Sequence, residues 1–369
     1  MSIGVGVSRN ESAQIEVLRA LCITMMMWVH VSPGISNPSF VNTGDHAWIG
    51  AALGDFLGRS SVSVLGFVSG YLIWTGAIRL PFGKFFSRQI RTIFLPMVIW
   101  SQIFILLLLA KSALTGEAPN QLQAVSPTPL GILDQIVGLT GPTANLSLFF
   151  LRDLLASSLI LWMLRPAVAR WPLAVLCAVL VWGMFLPTAP VVFRPMILLF
   201  FVGGAVMARL GGQIDAISRP VVALPLAAMA YLVYLLLPHL PLPEVGSAAE
   251  AMATIKRVSV SFLMLAVSRS IVRHCHPAWM VRYGKYMFLC YLAHMPMIGL
   301  LWAVWSHLVG TPQDASYLAF YLLSPIACVS LGLAAGRLMD GLPADLQCLL
   351  RGKALGVARG PAVQTGAGA

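Results

Sequence analysis

RTIFLPMVIWSQIFILLLLAK, the stretch from Arg91 to Lys111, carries a basic residue at each end and no charge between them. Wound into an α-helix at about 1.5 Å per residue it spans about 30 Å, the thickness of the hydrocarbon core of a bilayer. Comparable apolar windows bounded by charge, Pro or Gly recur along the chain. With this one they give ten expected spans, at 17–33, 61–78, 91–111, 145–164, 172–186, 195–209, 221–237, 255–270, 285–306 and 316–338. The composition agrees: 58% of the 369 residues are hydrophobic and 10% charged, against about 25% charged in soluble domains. The reading is an all-α polytopic membrane protein, a bundle of about ten transmembrane helices. Residues 1–340 form one integral membrane domain, and 341–369, Gly/Ala-rich at the end and without periodicity, form a disordered cytoplasmic tail. The first span is too long, and too poor in a small-residue cleavage site, to be a removed signal peptide.

The formal charge of +11 does not imply a nucleic-acid partner, because the basic residues lie in short clusters between apolar runs. Their distribution reads as topology. Of the 24 Lys and Arg, eighteen fall on one side of the ten-span arrangement and Arg152 lies within a span. Arg59, Lys111, Arg194, Lys256 and Arg257 fall on the other side. That bias places both termini in the cytoplasm. The long connections 34–60 and 112–144 are then extracytoplasmic. Cys22, Cys177, Cys290 and Cys328 sit in apolar runs and Cys275 and Cys348 beside basic clusters, so no disulfides are expected. His274-Cys275-His276 has no second ligand pair at metal-site spacing, and no metal site is expected.

An ionisable side chain inside a span costs about 3 kcal/mol on insertion scales, so each needs a reason. Arg19 and His30 are eleven residues apart in the first span, three helical turns, which puts them on one face about 16 Å apart along the axis. A cation at the cytoplasmic mouth beneath a deeper imidazole suits a long anionic donor acted on at its far end, and imidazole is the usual general base near neutral pH. Tyr291 and His294 share a face of the ninth span. Arg152 and Asp153 lie in the fourth; as neighbours they point about 100° apart, a poor arrangement for mutual neutralisation. Gly66 and Gly70, one turn apart beside Ser69, suit close helix packing. Arg88 and Arg91 precede the third span, where ordinary cytoplasmic anchoring is the plain alternative.

In order along the chain, these elements resemble acyltransferase family 3, the bacterial membrane O-acyltransferases of envelope and exopolysaccharide glycans. The resemblance rests on Ile15-Glu-Val-Leu-Arg19 followed by His30, on Val68-Ser69-Gly70-Tyr71-Leu72-Ile73 with Arg88, Arg91 and Pro96, on Leu148-Phe-Phe-Leu-Arg152-Asp153, and on Tyr283-Gly-Lys-Tyr through Tyr291 to His294. Gly66 and Phe149 depart from the aromatic residues usual at their positions. The resemblance implies a multi-pass enzyme of the bacterial inner (plasma) membrane with no tightly bound cofactor. Its donor would be cytoplasmic acyl-CoA, most often acetyl-CoA, whose phosphates meet Arg19, Arg88 and Arg91. The acceptor would be a hydroxyl of a glycan or lipid-linked oligosaccharide. His30, His294 and Asp153 would be catalytic, with Ser69, Arg152 and Tyr291 as further site candidates. His30 would deprotonate the sugar hydroxyl or take the acyl group transiently. The rival class is a secondary transporter of a small solute, which also gathers polar groups near the midplane.

Overall fold

The computed structural model describes residues 8–31, 38–116, 128–141, 143–186, 188–239, 248–275 and 278–352, and among them there is no β-strand. Ten apolar helices follow in order: α1 Asn10–His30, α2 Gly44–Thr75, α3 Phe82–Leu114, α4 Leu146–Arg170, α5 Pro172–Phe185, α6 Pro195–Arg209, α7 Pro220–Leu236, α8 Ala249–His274, α9 Met287–Leu308 and α10 Tyr317–Gly341. All but α5, α6 and α7 are long and apolar enough to cross a membrane unaided. They match the ten expected windows in order. The chief difference lies before the second window, where the expected outer loop 34–60 is helical from Gly44 and passes through a widened π-helical stretch over Gly50–Gly58.

Local chemistry sets the boundaries. The Ser8 hydroxyl caps the start of α1 by accepting from the Glu11 amide at 3.2 Å. α5, α6 and α7 each open on a proline, whose missing N–H costs nothing in a first helical turn. Large apolar side chains such as Leu106, Leu109, Val221, Met229, Leu232, Leu300 and Val304 point outward. A soluble monomer rarely exposes so much apolar surface, and a lipid solvent removes its cost.

α2 and α6 share the most extensive helix interface, and glycine makes it possible. A Cβ on Gly70 would overlap the Phe201 carbonyl, and one on Gly204 the Phe67 carbonyl. The two backbones are therefore in direct contact, and Gly66 lies against the Ile197 carbonyl in the same seam. The Ser69 hydroxyl donates to the Leu65 carbonyl of its own helix at 2.7 Å, and Ser69 is not among the residues lining the cavity described below.

A network of polar contacts defines one end of the bundle. Buried Glu11 accepts from the Tyr71 hydroxyl at 2.9 Å and the Ile214 amide at 2.8 Å. Gln14 reaches the Leu265 carbonyl at 3.4 Å, and Trp100 donates to the Leu350 carbonyl at 2.9 Å. Both described chain ends thus lie at this same end, as an even number of crossings requires. The tail begins later than expected. Ala344–Arg351 forms a helix, α11, set off by Pro343 and closed by Gly352 at φ +72°. Fully buried Arg351 donates to the Gly336 carbonyl at 3.2 Å, to Asp340 at 2.8 Å and to Gln347. Its eight residues are too few and too mixed to show a periodicity. Residues 353–369 of the expected disordered tail lie outside the described residues.

Because the Gly70 contact is with backbone, no rotamer change can relieve a methyl there. Gly70→Ala is expected to lower the thermal midpoint of the purified protein by an amount matching about 1–3 kcal/mol of overpacking. Gly83→Ala, which meets nothing within 4 Å, should leave it unchanged. Equal midpoints for the two variants would show that α2 and α6 are not in backbone contact.

Candidate active site

Three features pin the outer end of α1. The α-helix proper ends at Met27, and Trp28–His30 tightens into a 3₁₀ turn. At about 120° per residue, this turn lets the common-face argument for Arg19 and His30 run only as far as Met27. The Trp28 indole donates to the Tyr321 carbonyl at 2.9 Å, and Val31 is buried in a small apolar cluster with Val41, Ile49, Tyr317 and Phe320. α2 closes against the same turn at Gly58, where a Cβ would stand 2.7 Å from Val29 Cγ2 and 2.9 Å from the Met25 carbonyl.

This construction sets the His30 ring 5.2 Å, centroid to centroid, from the ring of His294 on α9, tilted by 54°. His294 is fully buried. Its Nδ1 lies against the Tyr291 carbonyl, an acceptor, so Nδ1 carries the proton and Nε2 the lone pair. Nε2 has no hydrogen-bond partner among the described residues. The Tyr291 hydroxyl donates to the Ser147 carbonyl at 2.5 Å, tying α9 to the turn that opens α4. Tyr291 thus links the start of α4 to His294.

His30 faces a cavity of about 170 Å³ whose polar wall comprises Arg59, Ser63, Arg194 and Arg257, closed on the apolar side by Phe149 and Phe150. Its position, toward the end of the bundle away from the termini, separates it from Arg19, Arg88 and Arg91. Arg19 is ion-paired with Glu16 at 3.3 Å, and Arg88 and Arg91 are exposed at the termini end. The two groups of cations lie toward opposite ends of the bundle.

Arg152 and Asp153 form a clamp, correcting the expectation that adjacent side chains would point too far apart to pair. The Arg152 guanidinium, on a long and flexible stem, turns back to Asp153 at 2.8 Å. It also donates to the carbonyls of Gly138 at 3.1 Å, Val191 at 2.7 Å, and Pro190. Fully buried Asp153 accepts from the amides of Phe193 at 3.2 Å and Arg194 at 2.8 Å. The pair binds two outer loops to α4 and holds Arg194 at the cavity. Of the three residues expected to be catalytic, His30 lines the cavity, His294 lies behind it in ring contact, and Asp153 reaches the cavity only through the Arg194 amide.

Sequence reasoning missed Arg59, Arg194 and Arg257 as site residues. The available signal was topological, since all three belong to the small set of cations on the sparsely charged side.

Among known proteins, the profile of the acyltransferase domain family matches residues 12–336. The chain is 29% identical over 363 residues to the succinoglycan biosynthesis protein ExoH of Rhizobium meliloti (strain 1021), an alignment covering 95% of this chain and 94% of that protein. No solved structure matches.

If Asp153 is a clamp, removing it strands a guanidinium and two amides in a buried site. Asp153→Ala should then destabilise the protein by about 3 kcal/mol or more, and Asp153→Asn, which keeps one acceptor oxygen, by less. Thermal unfolding in detergent measures both. An Asp153→Ala protein that melts like the wild type yet has lost activity would assign Asp153 to chemistry instead.

Proposed function

The chain belongs to the acyltransferase family whose profile it matches and is a membrane O-acyltransferase; from that premise we propose that it carries a short acyl group, acetyl being the simplest, from cytoplasmic acyl-CoA to a glycan hydroxyl on the far side of the membrane. The secondary-transporter alternative lapses with the family assignment. The observation that carries the reading is the His30–His294 pair, supplied by the first and ninth helices, with His30 at the wall of a cavity. The kinship to a succinoglycan biosynthesis protein supports an extracellular polysaccharide, or its lipid-linked precursor, as acceptor. The charge bias read from the sequence supports the bacterial inner membrane with both termini cytoplasmic.

In this account coenzyme A docks at the termini end, where Arg88 and Arg91 are exposed and Arg19 is half-buried. Guanidinium forks bind phosphate oxygens with charge-assisted hydrogen bonds. The pantetheine arm then runs along α1, a distance of about 16 Å for eleven helical residues, and delivers the thioester carbon beside His30. His30 takes the proton of the sugar hydroxyl as its oxygen attacks that carbon. The C–S bond breaks, the ester forms, and the imidazolium returns the proton to the departing thiolate, so that ester and free thiol are the products. His294 orients His30. With Nδ1–H held by the Tyr291 carbonyl, its Nε2 can only accept, and the His30 ring, 5.2 Å away centroid to centroid, is the donor it takes in the reacting complex. That fixes the tautomer whose other nitrogen is bare toward the hydroxyl. Such bonds are often long before substrate binds.

His30→Ala is expected to abolish transfer of labelled acyl from acyl-CoA to glycan by the purified protein in nanodiscs, while its melting midpoint stays near the wild-type value. His294→Ala should slow transfer by about 10²-fold or more, the usual scale for a general base left unoriented. Near wild-type turnover in His30→Ala would remove His30 from the reaction.

A further inference from the structure

Cations are scarce on the side of the bundle where the His30 cavity opens. Of the five Lys and Arg that the sequence places there, Arg59, Arg194, Lys256 and Arg257 are brought to one spot by three separate elements. Arg59 follows the π-helical stretch of α2, Arg194 is fixed by the Asp153 clamp, and Arg257 comes from the first turns of α8. Arg194 and Arg59 line the same cavity as His30. The opposing carboxylates are few. Asp55 is engaged by Lys256 at 2.5 Å and lies 3.7 Å from Arg59, while Glu250, two turns before Arg257 on α8, is exposed. Among the described residues, four cations therefore meet two carboxylates. Nη1 of Arg257 is shut off from solvent with no hydrogen-bond acceptor among the described residues, an unfavourable state that a bound acceptor would relieve.

We infer that this cavity is a carboxylate subsite, in which Arg59, Arg194 and Arg257 bind an anionic group carried by one of the two reactants within a few atoms of the ester being formed. The inference rests on the proposed acyl transfer at His30 and adds to it a substrate class. A cavity of about 170 Å³ suits a short carboxylate-bearing arm and is too small for a nucleotide. Arginine forks match the planar, bidentate geometry of a carboxylate. The carboxylate has two possible carriers, the far end of a dicarboxylic acyl chain or an acidic substituent on the sugar, and both place it beside His30. In either case the three arginines discriminate between charged and neutral substrates. A neutral substrate would leave the buried guanidinium unmatched, and that is the asymmetry by which polar sites reject analogues.

The test compares matched pairs in nanodiscs. Succinyl-CoA is set against butyryl-CoA with a neutral glycan, and a uronic-acid glycan against its neutral counterpart with acetyl-CoA. Wild-type protein should favour the charged member of one pair by tenfold or more in kcat/KM, and the pair showing it identifies the carrier. Arg257→Gln should bring that ratio toward one, with Arg257→Lys retaining part of it. Arg59→Gln, at a half-exposed position tolerant of substitution, should act in the same direction if Arg257→Gln fails to fold. Equal rates within both wild-type pairs, or a preference unchanged in Arg257→Gln and Arg59→Gln, would overturn the inference. Succinate and butyramide titrations of His30→Ala protein, followed by thermal shift, separate this proposal from the function it rests on. Stabilisation by succinate alone, lost in the His30→Ala/Arg257→Gln double variant, supports the subsite even where no acyl transfer is found; no difference between the carboxylate and the neutral amide contradicts it.

Discussion

Two imidazoles from opposite ends of the sequence lie 5.2 Å apart inside a helical bundle, one of them at the wall of an arginine-lined cavity. Neither can be held there by hydrophobic packing alone, because the hydrophobic effect does not discriminate among orientations. The surrounding polar contacts supply the direction. One is the Tyr291 carbonyl, which decides where the proton of His294 sits. Another is the Trp28 indole on the Tyr321 carbonyl, which anchors the turn carrying His30. A third is the Tyr291 hydroxyl on Ser147, which keeps the start of α4 against α9. The backbone contact of Gly70 with Phe201 fixes α2 against α6, and with it the wall from which Arg59 reaches the cavity.

The Arg152–Asp153 clamp shows how a buried ion pair serves placement more than net stability. Such pairs seldom repay their desolvation as ion pairs alone. Here both partners spend their remaining hydrogen-bonding capacity on loop backbone, the carboxylate on two amides and the guanidinium on three carbonyls. Irregular chain at the mouth of a membrane protein needs such partners, since lipid offers none. The consequence for the site is a fixed position for Arg194.

Much of this was legible in the sequence, for physical reasons that also mark where legibility stopped. The ten helices could be read because lipid exposure forces long apolar runs, and α5 to α7 because proline opens each. His30 and His294 stood out as ionisable groups deep in such runs. Asp153 stands out by the same logic, but besides its neighbour Arg152 its partners are loop amides distant in sequence, which no local pattern reports. The 100° separation of Arg152 and Asp153 described Cα directions and neglected the reach of the arginine stem. Arg59, Arg194 and Arg257 sit at helix ends, where a cation is ordinary, and only the tertiary fold gathers them. The π-helical extension of α2 and the docked helix α11 depend on contacts with Val41, Asn42, Trp100 and Asp340 that a reading of one short segment does not contain.

The account divides the molecule by side. Exposed arginines lie at the termini end, a histidine pair and a second set of arginines lie toward the other, and α1 runs between them. The most direct measurement is transfer in sealed proteoliposomes of uniform orientation, with labelled acyl-CoA confined to the side bearing the termini and glycan to the opposite side. The account predicts ester on the glycan and free coenzyme A left on the donor side. Product formed only when donor and glycan share one side would contradict it.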